Sequence, residues 1–235
     1  MKRVLYLIII IVALTALYMD IVQFEFYKIA VAATTLFILA NVLLNGNRLN
    51  EKNKNYASYI SFGLVCCMAA DFIPFLVDDF VWELSFYIVA KFLFAEAFRT
   101  QGTLKVNYKL LSLLGIAGMC LFIYLAPFFD EYFVPIALYF GMMIYMSWAG
   151  VGLHMSMRSP KSKLVFYAVF VWFICEMISA TDRFLGASMI TGLAVHVTYW
   201  LALVLISVSA LKANKADQPD YTSLRPKKEK ISYSS

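Results

Sequence analysis

Long apolar runs alternate with short polar segments along the chain as far as about residue 211. Each run approaches the roughly 20 apolar residues that a helix needs to cross about 30 Å of hydrocarbon. The runs are unbroken, whereas strands of a membrane β-barrel would give short alternating segments. The pattern predicts an all-α fold, a polytopic membrane helix bundle of about eight transmembrane helices. The runs are Val4–Met19, Phe24–Leu44, Tyr56–Val77, Val81–Phe98, Leu110–Phe128, Tyr132–Leu153, Leu164–Thr181 and Ala187–Leu211.

Composition agrees with this pattern. Of 235 residues, 62% are apolar and 15% are charged, whereas a soluble domain has about 25% charged residues. A soluble fold of this length has too little interior to bury so much apolar surface, but lipid is itself an apolar solvent. The first run follows Met1-Lys2-Arg3, as a signal peptide would. No small-x-small cleavage site follows it, so we interpret it as an uncleaved first helix.

Basic residues gather in alternate connecting segments, which is typical of cytoplasmic loops. Eight helices with both termini in the cytoplasm place every basic segment on one side, whereas seven helices would break the alternation. The net charge of +5 is therefore a signal of topology and not of nucleic-acid binding, and an inner or plasma membrane is expected if the chain is bacterial. The basic set is Lys2, Arg3, Arg48, Lys52, Lys54, Arg99, Lys105, Lys109, Arg158, Lys161 and Lys163; the opposite set is Asp20, Glu25, Asp78, Asp79, Glu83, Asp130, Glu131 and Asp182, with Arg183 its one basic member.

The chain becomes polar from Lys212 onward and contains a cluster of lysines at residues 227–230. This change predicts two parts, an eight-helix transmembrane domain over residues 1–211 and a disordered basic cytoplasmic tail over 212–235. The charge of the tail would hold it near anionic lipid headgroups.

The four cysteines all lie inside apolar runs, without CxxC spacing, and the chain has only two histidines. Buried thiols of this kind act as small apolar side chains. A metal site needs clusters of ligands, so the sequence predicts neither a metal nor another cofactor.

Few ionisable residues lie within the apolar runs. A charge near the bilayer centre costs a few kcal/mol, so such residues usually face a cavity or a partner. The rise of the helix places five of them in one layer, roughly 6–15 Å below the outer surface. A shared polar cavity is favoured there over solitary ion pairs. The five are Lys28, Asp71, Lys91, Glu176 and His196, whereas Glu96 lies near the cytoplasmic end and can reach toward Arg99.

The spacing of these groups repeats. Asp71 is followed twenty residues later by Lys91, and Glu176 is followed twenty residues later by His196. The repeat indicates a parallel four-plus-four pseudo-repeat, with an axis along the membrane normal. The two carboxylates would then face each other near that axis. Chance similarity is the alternative explanation.

The segment from Gly63 to Phe98, GLVCCMAADFIPFLVDDFVWELSFYIVAKFLFAEAF, resembles the YhhN family of transmembrane lysoplasmalogenases. That family has an apolar helix ending in Gly-Asp, then a short loop and a helix with an Ala-His-Leu-x-Tyr pattern. FICEMISATDRF is similar to its Leu-Ser-Asp segment, and VTYWLALVLISVSAL to its closing Thr-Tyr-Tyr helix. The resemblance extends from about residue 24 to residue 211.

The resemblance implies hydrolysis of the vinyl ether bond of lysoplasmalogen, a lysophospholipid, to a fatty aldehyde and a glycerophospho head group. Protonation at carbon gives an oxocarbenium ion to which water adds, so the chemistry needs an acid and a second carboxylate, as in glycosidases. The resemblance places Asp71 and Glu176 on the two family carboxylates. Tyr199 matches the closing helix, and Lys28 matches the lysine of an early Lys-Pro pair.

Three positions depart from the family. Glu176 replaces aspartate, Lys91 replaces histidine, and Leu203 stands where glutamine is frequent. An ammonium at Lys91 near Asp71 would favour the ionised carboxylate there. We therefore expect Glu176 to be the better proton donor and Asp71 to act as the base or cation stabiliser. Lys28, Lys91, His196 and Tyr199 are the expected supporting residues.

Two other classes of function stay open at this stage. A proton-coupled or lipid transporter could be built from two four-helix repeats, and an inactive lipid-binding or sensory relative needs no turnover. The even number of helices disfavours a heptahelical receptor. The expected partner is a membrane lipid or lysolipid and not a nucleic acid, and the sequence gives no oligomeric state.

Overall fold

A computed structural model describes residues 2–22, 24, 26–46, 51–77, 79–102, 104 and 108–212. Several predicted features lie outside these residues: nearly all of the basic tail, Glu25, Arg48, Asp78 and Lys105. The described part of the chain forms eight α-helices and two short 3-10 turns, without strands, which confirms the all-α prediction. The helices are α1 (Lys2–Ile21), α2 (Tyr27–Gly46), α3 (Glu51–Leu76), α4 (Phe80–Thr100), α5 (Tyr108–Leu125), α6 (Phe133–Met157), α7 (Pro160–Leu185) and α8 (Met189–Leu211).

Polar capping residues determine where three of these helices begin. Ser159 and Ser188 each form a capping box with the residue three positions later, at the starts of α7 and α8. The carboxylate of Asp79 accepts a hydrogen bond of 2.8 Å from the backbone N–H of Val81 at the start of α4. These bonds satisfy N–H groups that the first helical turn leaves without partners. The caps explain why α7 begins several residues before its apolar run.

Six helices are long and apolar enough to cross a membrane, namely α1, α2, α3, α6, α7 and α8. The apolar stretch that contains α5 is shorter, and α4 carries four ionisable residues, although its 21 residues rise about 31 Å. Large apolar side chains cover the outside of the bundle; Leu14 is 61% exposed and Ile190 is 80% exposed. Such a surface is stable in lipid and not in water. The chain is a multi-pass integral membrane protein.

Contacts between distant residues identify the two ends of the bundle and show that α4 runs opposite to α7 and α3 runs opposite to α8. Glu83 near the start of α4 approaches Arg183 near the end of α7 at 3.8 Å. At the opposite end of the bundle, Tyr56 of α3 and Ser209 of α8 share a hydrogen bond of 2.7 Å. We call the end that contains Glu83 and Arg183 the acidic end. At this end α1 leads into α2, α3 into α4, α5 into α6 and α7 into α8. The other is the basic end.

The packing of the helices agrees with the pseudo-repeat. The α3–α4 pair corresponds to the α7–α8 pair, and both pairs pack closely. In addition, α4 packs against α6, and α8 packs against α2. A twofold axis that relates α1–α4 to α5–α8 produces this exchange of neighbours between the halves. The carboxylate-bearing helices α3 and α7 occupy corresponding places in this contact pattern, as the predicted pseudo-repeat requires.

Lys161 is an exception among the basic residues assigned to the connecting segments. Its side chain is only 2% exposed, and its Nζ donates hydrogen bonds to Asn53 Oδ1 at 2.9 Å and Gln101 Oε1 at 2.7 Å. The ammonium also lies 4.0 Å from the centroid of the Tyr56 ring. The sequence assigned Lys161 to the connection before the seventh apolar run, but it is the second residue of α7 and its side chain extends between the helices. It joins α3, α4 and α7 at the basic end.

We predict that Gly150→Ala destabilises the fold whereas Gly141→Ala in the same helix does not. A Cβ at Gly150 would lie 2.6 Å from Val169 Cγ2 on α7, while a Cβ at Gly141 would meet no atom within 4 Å. Overpacking of this kind costs about 1–3 kcal/mol, whereas an open Gly→Ala change in a helix gains up to about 1 kcal/mol. Thermal unfolding in detergent measures both, and equal melting temperatures for the two variants would contradict the prediction.

Candidate functional site

Three adjoining cavities lie near the acidic end. The polar chamber has a volume of about 150 Å³, the vestibule about 300 Å³ and the apolar groove about 130 Å³. Glu83 and Tyr87 line all three, so the cavities meet along α4. Asp71 lines the chamber and the vestibule, and Glu176 lines the chamber and the groove. The two carboxyl groups that the sequence singled out therefore share one cavity.

Hydroxyl groups from three other helices surround the carboxyl group of Asp71. Thr35 on α2 donates a hydrogen bond of 2.6 Å to Oδ2, and Tyr199 on α8 donates one of 3.2 Å to the same oxygen. Tyr87 on α4 donates a bond of 2.5 Å to Oδ1. Over the described part of the chain, Asp71 has no salt bridge. Neutral donors thus hold this buried side chain in place.

The surroundings of Glu176 are different because they contain a cation. Lys91 Nζ lies 2.8 Å from Glu176 Oε1, and Trp172 Nε1 donates a hydrogen bond of 2.6 Å to the same oxygen. The hydroxyl of Tyr139 donates a bond of 2.6 Å to Oε2. Glu176, whose side chain is 14% exposed, is therefore the partner of a fully buried lysine in a hydrogen-bonded ion pair.

Aromatic rings enclose the ammonium of Lys91, which is 0% exposed. Its Nζ lies 4.0 Å from the ring centroid of Tyr139, 5.0 Å from that of Trp172 and 5.5 Å from that of Tyr87. It also donates a hydrogen bond of 2.7 Å to the Tyr139 hydroxyl. Cation–π attraction and this bond offset part of the loss of hydration.

The expectation that Lys91 would act on Asp71 was wrong. Position 91 lies one turn beyond Tyr87 on α4, and α4 packs against α6. The side chain consequently extends to Tyr139 on α6 and Glu176 on α7, while Tyr87 takes the place next to Asp71. The expected division of roles between the two carboxyl groups rested on the other pairing.

The pseudo-repeat accounts for part of this arrangement. Thr35 on α2 donates a hydrogen bond to Asp71. Tyr139 on α6, the corresponding helix of the second half, donates one to Glu176. Tyr199 on α8 reaches Asp71 in the first half, as Lys91 on the equivalent α4 reaches Glu176 in the second. Each carboxyl group thus receives a donor from the other half of the chain. The fold is symmetric in position, but the donors differ in charge.

Two other sequence-derived residues lie at the edge of the chamber. Lys28 lines the vestibule, and its Nζ donates a hydrogen bond of 3.1 Å to the carbonyl of Pro74 at the end of α3. A cation is favourable beside the last carbonyls of a helix. His196 lines both the vestibule and the chamber, and its Nδ1 lies 3.6 Å from Asp20 Oδ2.

Glu96 takes no part in the cavities. It lies toward the basic end, 2.8 Å from Arg99 Nη1, as expected. The hydroxyl of Tyr145 also donates a hydrogen bond of 2.5 Å to it. Glu96 is therefore a carboxylate of similar type outside the site.

Sequence reasoning missed five residues of the site. A regular signal does exist for two of them, because Glu83, Tyr87 and Lys91 recur every four residues and so form one polar face of α4. Glu83 was instead assigned to the connection before α4. Trp172 precedes Glu176 by the same spacing, but single aromatic residues are too frequent in this chain to stand out. The missed residues are Thr35, Glu83, Tyr87, Tyr139 and Trp172.

A family model described as the YhhN family matches residues 27–210. The matched range extends from the start of α2 almost to the end of α8 and therefore includes every helix that lines the three cavities. Neither a curated protein nor a solved structure matches the chain.

We predict that Lys91→Met strongly destabilises the protein and that adding Glu176→Gln recovers much of the loss. Removing one partner of a buried ion pair costs about 3–5 kcal/mol, because the other charge stays buried without compensation. In the double variant no such charge remains. A double-mutant cycle of unfolding in detergent measures the coupling. If the double variant loses as much as the two single variants combined, the pairing is wrong.

Proposed function

The chain belongs to the YhhN family, and from this premise we propose that it is a membrane-embedded hydrolase of lysoplasmalogens. The reaction would cleave the vinyl ether bond and release a fatty aldehyde and a glycerophospho head group. The observation that carries the proposal is the pair of carboxyl groups, Asp71 and Glu176, in one chamber between a polar and an apolar cavity. Vinyl ether hydrolysis passes through an oxocarbenium ion, as glycoside hydrolysis does, and glycosidases use two carboxyl groups with different tasks for it.

Each cavity suits one part of such a lipid. The groove is lined by Leu121 and Phe122 of α5, Met143 of α6 and Phe184 of α7, which suit an alkenyl chain. The vestibule carries charged side chains that suit an ionic head group. The chamber adjoins both of them and would hold the ether bond.

We assign Asp71 as the general acid. A neutral carboxyl group costs less to bury than a carboxylate without a cation, and within the part of the chain that the structure describes only hydroxyl groups bond to Asp71. We assign Glu176, which pairs with Lys91, as the carboxylate that faces the developing cation. These roles are the reverse of those expected from the sequence.

In the first step Asp71 gives its proton to the vinyl carbon that does not bear oxygen. The π electrons form the new C–H bond, and the oxocarbenium ion that results lies near the carboxylate of Glu176. Water then adds to the oxygen-bearing carbon and gives a proton to Glu176. When the hemiacetal collapses, Glu176 protonates the departing glycerol oxygen, and the hemiacetal hydroxyl returns a proton to Asp71. Lys91 and Tyr139 hold Glu176 in position throughout.

The position of the cavities favours hydrolysis over transport. A transporter must open its site to both sides of the membrane in turn. The polar chamber, the vestibule and the groove adjoin one another near the acidic end. At the basic end, the bonds of Lys161 to Asn53 and Gln101 connect three helices.

The charge asymmetry supports an orientation in which both termini are cytoplasmic and the acidic end faces outward. We predict that in intact cells a membrane-impermeant thiol reagent labels Glu131→Cys and does not label Lys109→Cys. These exposed positions flank α5 at its two ends. Permeabilised cells should label both variants, which controls for reactivity. The reverse pattern would show the opposite orientation.

We predict that Asp71→Asn and Glu176→Gln each lower kcat/KM for lysoplasmalogen by about 10²–10⁴-fold, the usual contribution of a general acid or base. Glu96→Gln is the matched control, because it makes the same change in a carboxylate outside the cavities and should retain activity. The measurement is aldehyde release from purified, folded protein.

Two results would contradict the proposal. One is a folded Asp71→Asn variant that hydrolyses lysoplasmalogen as fast as the parent. The other concerns the site of protonation, because in D₂O the aldehyde from the parent enzyme should carry deuterium on the carbon next to the carbonyl. An aldehyde that lacks this deuterium would exclude protonation at carbon.

A further inference from the structure

The vestibule carries charges of both signs near the carboxyl group of Asp71. Lys28 and Arg183 supply the positive charges, and Asp79 and Glu83 supply the negative ones. Asp79 is already engaged, since its carboxylate caps the start of α4. Of these four charged side chains, Lys28, Arg183 and Glu83 are the candidates for contact with a ligand; Asp71 and His196 also line the vestibule.

The two cations retain much of their capacity to donate hydrogen bonds. The described structure gives Lys28 one bond, to the carbonyl of Pro74, although an ammonium has three donors. Arg183 lies over the ring of Phe80, 3.5 Å from its centroid, and 46% of its side chain is exposed. Its distance of 3.8 Å from Glu83 is too long for a hydrogen bond. A guanidinium placed in this way can bind an anion such as phosphate with two donors.

Glu83 lies at the junction of the vestibule with the other cavities. It lines all three of them, and 26% of its side chain is exposed. A ligand that passes from the groove into the vestibule must therefore pass this carboxylate. An anionic group that approaches Arg183 also approaches Glu83, and the carboxylate of Glu83 repels it. A positive charge elsewhere on the ligand would offset this repulsion.

We infer that Arg183 and Lys28 bind the phosphate of a lysolipid head group in the vestibule and that Glu83 determines which head groups are accepted. This inference rests on the proposed function, because it concerns the same site and the same lipid. The phosphate takes the place beside Arg183 that Glu83 approaches at 3.8 Å. Glu83 then faces the rest of the head group, so it favours one with an amine and disfavours one with additional negative charge.

The test compares alkenyl lysolipids with three head groups: phosphoethanolamine, phosphoglycerol and none. We expect the parent protein to prefer phosphoethanolamine over phosphoglycerol by about tenfold in kcat/KM, a difference typical of one partly solvated charge contact. Glu83→Gln should reduce this ratio to about threefold or less, mainly through KM. Arg183→Gln should reduce the advantage that either phosphate-containing substrate has over alkenylglycerol.

Glu131→Gln and Arg99→Gln are the matched controls, because they make the same changes outside the three cavities. Both should preserve the order of preference of the parent. If the proteins release aldehyde but neither Glu83→Gln nor Arg183→Gln changes the ratios, the inference is overturned and the proposed hydrolysis stands.

If no substrate releases aldehyde, the proposed hydrolysis fails, and a measurement of lysolipid binding then tests the inference. Saturated alkyl lysolipids with the same head groups are then titrated, with tryptophan fluorescence as the signal. Equal affinities in the parent and the Arg183→Gln variant would overturn the inference. Soluble glycerophosphoethanolamine separates a lipid site from a general phosphate site, and it should bind at least about a hundredfold more weakly because it leaves the apolar groove empty. Equal binding of the soluble compound would overturn the assignment to a lipid.

Discussion

The ion pair between Lys91 and Glu176 is the interaction on which the interior of this bundle depends. An ammonium inside a membrane protein is stable only where a partner and hydrogen bonds replace its water. Here the partner lies at 2.8 Å, and three aromatic rings surround the charge. Because Lys91 is on α4, Tyr139 on α6 and Glu176 on α7, the pair determines how these helices meet. Tyr139 and Glu176 also line the polar chamber.

Asp71 and Glu176 have different surroundings, because Lys91 pairs with Glu176. Asp71 and Glu176 lie on helices that correspond in the predicted pseudo-repeat. Among the described residues, only hydroxyl groups bond to Asp71, whereas a cation bonds to Glu176. Two acidic side chains in different surroundings can take different protonation states, which is how paired carboxyl groups divide the work of acid and base. The asymmetry required for hydrolysis therefore needs no asymmetric fold. It follows from the different side chains, Lys91 on α4 and Tyr199 on α8, that reach the two carboxyl groups from the returning helices.

Much of the fold could be predicted from the sequence, because bilayer thickness sets the length of an apolar run and loop charge follows topology. The depth of Asp71, Lys91 and Glu176 was also accessible, since each residue advances a helix by a fixed rise. The partner of Lys91 was not. Depth is a coordinate along one helix, whereas a partner depends on rotation about the helix axis and on which helices are neighbours. Lys161 was misinterpreted for a related reason: its position near a connection fits a surface loop, but its direction takes it inside.

The order of the cavities connects this electrostatic arrangement to the bilayer. A lysolipid is polar at one end and apolar at the other, and its ether bond lies where the two parts join. The polar vestibule and the apolar groove both adjoin the chamber, with Glu83 and Tyr87 common to all three. A lipid whose chain filled the groove and whose head group filled the vestibule would, under the proposed function, have its ether bond near Asp71 and Glu176. A lysolipid changes from polar to apolar near its ether bond. Asp71 and Glu176 lie where the polar and apolar cavities of the protein meet.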